Sequence, residues 1–259
     1  MEKALSPDII RSSLLIIGLT GYADGGGVVS HSIDYLIKHL QCRKVGTING
    51  DSFIDYTLNR PIVTIRNGIA KTFQPGKYQV LLSENREVLI INGPEPNLKW
   101  RLFIDMLLKI AENAGIKSIY TIGGFIDHVE EPKVSYVLPD ESLKRCFQLE
   151  FLSPIEYRGP SSIYTLMLKR AHKKGFRAIS LWVHVPYLIH VLLPQLGWID
   201  YWSSFTLLSA LKRITNLEIN LKDAEELCRK FKDSLEVIKH FAEQKTLSDS
   251  LGSSLKYIF

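Results

Sequence analysis

Two stretches carry residue types that could do chemistry. Asp127-His128-Val129-Glu130-Glu131-Pro132 gathers acids and an imidazole directly after an apolar run, the materials of general acid–base catalysis. Neighbours in sequence point apart on most backbones, and loops are polar in any case. Gly25-Gly26-Gly27 stands between the apolar run Leu14–Ile17 and a helix face made of Val29, Ile33, Leu36, Ile37 and Leu40. Strand, glycine loop and helix is the layout in which backbone amides face an anion. The glycines match neither Gly-x-Gly-x-x-Gly nor a loop ending in Gly-Lys-Ser/Thr, so neither common nucleotide signature is met. Close packing of the helix on a sheet would use the same glycines. Gly123-Gly124 follows Ile119-Tyr120-Thr121-Ile122 in the same way. Gly25, Gly26, Gly27, Gly123, Gly124 and Asp127 are therefore the candidate ligand loops.

Other polar groups invite blander readings. Ser161 or Ser162 suits a helix cap, since no Gly-x-Ser-x-Gly elbow exists to make a serine a nucleophile. His184 and His190 are six apart and match no helical metal pair, and His184 is expected just beyond a strand end. Cys42, Cys146 and Cys228 form no zinc spacing or redox pair, which points to reduced thiols in a cytoplasm. No metal or cofactor is called for. The cluster from Lys169 to Arg177 lies at a helix end, where cations complement the dipole.

The elements that must position these residues can be read from periodicity. Ile119–Ile122, apolar on both faces, reads as a central strand that Gly123-Gly124 stops. Helical spacing runs from Leu98 to Asn113, with Gly115 past its end and Trp100 in the buried stripe. Lys44–Ile48, Tyr78–Leu82, Val88–Asn92 and Arg177–Val183 read as further strands. Pro61–Phe73, turning at Asn67-Gly68, reads as a hairpin that makes the sheet mixed. The prolines of Asn92–Pro96 suggest a rigid loop. Ser162–Lys174 is a helix, Ser203 or Ser204 caps another, and Asn220 opens the longest, to about Gln244, its apolar residues recurring every seven. Thr246–Lys256 is Ser-rich and reads as a flexible tether before the apolar end Tyr257-Ile258-Phe259.

The whole is one α/β domain over 1–215, a helical segment over 216–245 packed on it or on a neighbouring subunit, and a tail over 246–259. The net charge of +5, from 32 basic and 27 acidic residues, is too small to argue for nucleic acid. No apolar run approaches a membrane span, and Glu2, Asp8 and Arg11 precede the first one, unlike a signal peptide.

Several motifs in order add a resemblance. They are the glycine loop with Asp34-Tyr35-Leu36, Phe53-Ile54-Asp55-Tyr56, Gly93-Pro94-Glu95-Pro96 with Trp100, Ile122–Asp127, Tyr157-Arg158-Gly159-Pro160, and Ser180–Tyr187. Together they resemble the proteasome assembly chaperone family in its single-chain archaeal form. That resemblance implies a three-layer α/β/α fold with a mixed central sheet, similar to the nucleoside phosphorylase and peptidyl hydrolase group, plus a C-terminal helical segment. It also implies homo-oligomers and a non-enzymatic role in proteasome assembly, with proteasome α subunits or the assembled core particle as partner. Tyr257, Ile258 and Phe259 would be the partner-binding residues; Tyr257 is third from the end where the family's tails commonly have the tyrosine penultimate. The alternative is a phosphorylase- or hydrolase-like enzyme binding phosphate or a nucleoside at the candidate glycine loops.

Overall fold

The computed structural model describes residues 11–196 and 198–255. In chain order the elements are Leu14–Thr20 (β1), Val28–His39 (α1), Arg43–Asn49 (β2), Ile62–Arg66 (β3), Ile69–Gln74 (β4), Lys77–Leu82 (β5), Val88–Pro94 (β6) and Trp100–Asn113 (α2). There follow Ser118–Asp127 (β7), Lys133–Val137 (β8), Ser153–Pro154 (β9), Ile163–Lys173 (α3), Arg177–Pro186 (β10), Tyr187–Leu196 (α4), Tyr201–Thr215 (α5) and Lys222–Leu255 (α6).

Eight strands form one sheet in the order β2-β5-β6-β1-β7-β10-β8-β9. The four middle strands β6, β1, β7 and β10 are parallel, and β5 and β8 run against them. Alternation along each central strand divides its side chains between two cores. Leu15, Ile17, Ile119 and Ala178 face α2 and α3, where Phe103, Leu107, Tyr164 and Leu168 meet them. Leu14, Ile16, Tyr120, Ile122 and Ile179 face α1 and α5, against Ile33, Leu36, Leu208 and Leu211. The result is the expected three-layer α/β/α fold with a mixed sheet.

The sheet is mixed for a different reason than the hairpin suggests. Among the described residues β3 and β4 pair only with each other, as a separate two-stranded sheet turning at Asn67-Gly68. Gly123-Gly124 does not stop β7, which runs on to Asp127. A Cβ on Gly123 would lie 2.6 Å from the Trp182 ring, and one on Gly124 would lie 2.3 Å from Val28 Cγ2. Both glycines are demanded by close approach, and the strand passes through them. β6 likewise continues through Asn92-Gly93-Pro94, paired with β1, so the first three residues of the expected loop are strand and only Glu95-Pro96 lie beyond it. Trp100 is half-buried at the start of α2, its Nε1–H donating to Pro96 O at 2.5 Å. The cap of α5 is Asp200, which accepts from Ser203 N at 2.9 Å, rather than Ser203 or Ser204. α6 begins at Lys222, with Asn220 Oδ1 accepting its N–H, and extends to Leu255, past Gln244 and through most of the Ser-rich stretch. Ala224, Cys228, Phe231 and Leu235 on α6 are buried. Tyr257, Ile258 and Phe259 lie outside the described residues. The basic cluster is partly paired: Arg170 binds Asp105, and Lys174 meets Glu112 at 2.6 Å.

Candidate functional site

Ligands on α/β sheets bind beyond the carboxyl ends of the parallel strands. Here those ends are the β1–α1 loop, Glu95 after β6, Asp127 at the end of β7, and the β10–α4 junction.

In the β1–α1 loop, Gly26 and Gly27 have φ of 67° and 69°, left-handed values that glycine adopts without strain. The turn they make brings Asp24 back over the start of α1. Asp24 Oδ1 accepts from Val29 N at 2.7 Å and Ser30 N at 3.2 Å, and Oδ2 takes Ser30 Oγ–H at 2.5 Å. The chain's own carboxylate thus sits where an external anion would meet those two amides. Gly25 and Gly124 are brought together: Gly124 N donates to Ala23 O at 2.7 Å, and a Cβ on Gly25 would stand 3.0 Å from Gly124 O. Gly26 lies above Val185 and Asp200. Asp200 is fully buried, and burial pushes its carboxyl above the usual range; its Oδ2 and the neighbouring Ser203 Oγ have no partner among the described residues.

Asp127 is not gathered with the glycine loop. Side chains on β7 alternate, with Gly124 meeting Val28 in the α1 layer and Gly123 meeting Trp182 in the α3 layer; Asp127 shares the parity of Gly123. Its partner is His184, inside β10 rather than beyond it: Nδ1 and Asp127 Oδ2 are 2.7 Å apart. On the other side of the ring, Nε2 is 2.7 Å from Ser135 Oγ, in β8. His128, the neighbour in sequence, stacks loosely on exposed Tyr187 instead.

This Ser135–His184–Asp127 chain escaped the sequence because its members sit on three strands. The alternation that puts His184 on the side of Trp182, and so of Asp127, could have signalled it. The connectivity, carboxylate to Nδ1 and hydroxyl to Nε2, is that of nucleophilic hydrolases. Access is not. Ser135 is only 2% exposed, in mid-strand between β10 and β9. Burial holds the His184 pKa below the usual histidine value although Asp127 pulls it up, so desolvation outweighs the short contact. The hydrogen bond from His184, more than any other cause, holds Asp127 below the usual carboxylate range. A neutral imidazole donating Nδ1–H to Asp127 and accepting Ser135 O–H satisfies all three groups. As it stands, the chain clamps β7, β8 and β10.

On the α3 side, Glu95 Oε1 accepts from Ile163 N at 2.7 Å, sharing the helix N-terminus with Ser162 Oγ on Tyr164 N at 3.2 Å. Burial raises the Glu95 carboxyl, and the Ile163 amide only partly offsets it. Tyr22 and Tyr157 close over this end, both donating to Pro160 O. Among the described residues no group of three or more His, Cys, Asp or Glu could hold a metal ion, and no helix is long and apolar enough to cross a membrane.

The PAC2 family pattern matches residues 18–239. The chain belongs to the PAC2 family. Solved structures share the PAC2 fold at low identity. A Mycobacterium tuberculosis proteasome-assembly chaperone homologue superposes with a TM-score of 0.75 at 20% identity, covering 86% of this chain and 94% of its own. A PAC2 family protein from Streptomyces avermitilis gives 0.74 at 21% identity, over 87% and 95%. PbaB, an archaeal proteasome activator from Pyrococcus furiosus, gives 0.63 at 20% identity, over 89% and 95%. Comparison with curated protein sequences gives no significant match.

Proposed function

We propose that this PAC2 protein is a non-catalytic, chaperone-like protein of the cytoplasm that assembles with itself and binds proteasome α subunits or the assembled core particle. Oligomer faces and the C-terminal Tyr257-Ile258-Phe259 make the contacts. The observation that carries this reading is the state of the strand ends. Asp24 fills the start of α1, Glu95 and Ser162 fill the start of α3, and Ser135 is enclosed, so the chain's own groups take the positions a substrate would need. Apolar side chains are instead displayed outward, on the β3–β4 hairpin and on α4. Proteins with the same fold carry proteasome-related names in both bacteria and archaea.

A terminal carboxylate on an apolar tail pairs with a basic residue while its aromatics fill an apolar slot, a common way of capturing chain ends. Deleting residues 257–259 tests this. Loss of binding to purified proteasome α subunits with an unchanged melting temperature supports docking. A lower melting temperature with binding kept means that the tail folds back on its own domain. No change in either means that the tail contributes to neither binding nor stability.

The Ser135–His184–Asp127 chain favours a second reading, a phosphorylase- or hydrolase-like enzyme using Gly25, Gly26, Gly27, Gly123, Gly124 and Asp127. A ligand of the folded state raises the melting temperature by mass action. Phosphate and nucleosides are expected to leave it unchanged, and a clear rise with either would favour the enzyme.

A further inference from the structure

An isolated two-stranded hairpin is marginal in water and needs something to cover it. The β3–β4 hairpin has no third strand among the described residues, and it exposes Ile62, Val63, Ile65, Ile69 and Phe73, each between 49% and 66%. Between Arg60 and Lys77 there are four basic residues, Arg60, Arg66, Lys71 and Lys77, all exposed, and no acid. None of the four takes part in an ion pair among the described residues. The hairpin is therefore an apolar ribbon with an unbroken positive charge.

The same molecule carries the opposite surface. After β7, Glu130 and Glu131 are exposed in the loop to β8, and His128 of that loop has its ring centroid 5.2 Å from that of exposed Tyr187 at the start of α4, where Leu188 and, one turn further, Val191 are exposed too. This joins an apolar patch to an acidic loop, in which Lys133 at the start of β8 is the nearest lysine or arginine in sequence. The strand directions place both surfaces at one end of the sheet. β2 runs parallel to β1, so the hairpin that follows it emerges where β1, β7 and β10 finish. Strands β6 and β1 stand between the hairpin's side of the sheet and β7.

We propose that the β3–β4 hairpin of one molecule docks on the β7–β8 loop and α4 of a second copy, head to tail. Sign and apolarity match: Arg66 and Lys71 face Glu130 and Glu131 while Phe73 and its neighbours cover Tyr187 and Leu188. Two different patches on one chain make a heterologous contact, which repeats from copy to copy and closes into a ring where the rotation allows. The inference rests on the homo-oligomer part of the proposed function and specifies the surfaces that make it.

Charge reversal tests it, with mass read by sedimentation velocity. The unmodified chain is expected well above 29.5 kDa. Arg66→Glu with Lys71→Glu should give monomer, and so should Glu130→Lys with Glu131→Lys, because each then meets like charge. Mixed in equal amounts the two variants should recover the large species, since each reversed surface now meets its complement. All four positions are exposed, so melting temperatures should stay put; should one reversal lower it, the neutral pair Arg66→Gln with Lys71→Gln is read for the same loss of mass. A monomeric unmodified chain, a variant that keeps the large mass, or a mixture that stays monomeric overturns the proposal. No proteasome component is present, so such a failure leaves partner binding untouched.

Discussion

Ser135→Ala probes the buried chain that joins three strands. Ser135 and His184 are 2% and 8% exposed, and Ser135 Oγ is the partner that His184 Nε2 has in the structure. Alanine leaves that nitrogen without a donor in a site too enclosed for ready solvation. A buried acceptor stripped of its partner costs about 1–3 kcal/mol. The loss should depend on pH, with a sign that follows from His184. Its pKa is held below the value of an unfolded histidine, so the unfolded chain takes up the proton first as pH falls. The His184 contribution is therefore present above about pH 6.5 and is lost below it, until the folded pKa is passed. Protonation also turns Nε2 into a donor and leaves Ser135 O–H without an acceptor. Alanine removes that conflict and lets His184 protonate more easily. Urea unfolding should show the full deficit at pH 7.5 and a smaller one at pH 5.5, and the His184 titration followed by NMR should move up. A deficit below about 0.5 kcal/mol, or one that grows in acid, would refute the assignment of a neutral imidazole between Ser135 and Asp127.

Phe231→Ala should cost about 3–5 kcal/mol in urea unfolding, because the ring is 4% exposed, packs with Ile189 and Leu235, and meets Tyr201 edge-on; a loss under about 1 kcal/mol would mean that α6 does not hold to the body there. Asp24→Ala should cost about 0.5–2 kcal/mol by uncovering Val29 N and Ser30 N. If the α1 start is closed by this carboxylate, the same variant should also gain a small thermal shift from phosphate that the parent lacks, and a parent that already responds contradicts the closure.

Individual strands and helices are legible in the sequence where the pattern is local. The runs Leu14–Ile17 and Ile119–Ile122, apolar on both faces, announce central strands, and Asn67-Gly68 announces its turn. Two differences share one cause, tertiary contact overriding local preference. Gly123-Gly124 reads as a stop until the Trp182 ring and Val28 are placed against it, which no spacing reveals. Pro94 reads as a break until β1 lies alongside. α4 passed unnoticed because Tyr187–Leu196 lacks polar residues at helical spacing, and the Ser-rich stretch beyond Gln244 concealed the length of α6. At the candidate site, Gly25 and Gly124 do meet, but Asp127 finds its partner 57 residues on, in His184. That pairing depends on two strands lying side by side in register, a relation set by the sheet and absent from either segment alone.

Binding of proteasome α subunits is the proposed activity of this PAC2 protein. Sedimentation of the full chain with purified α subunits at micromolar concentration measures it directly. The expected result is a boundary heavier than either component alone, diminished when residues 257–259 are removed. Two components that sediment independently across that range would contradict it.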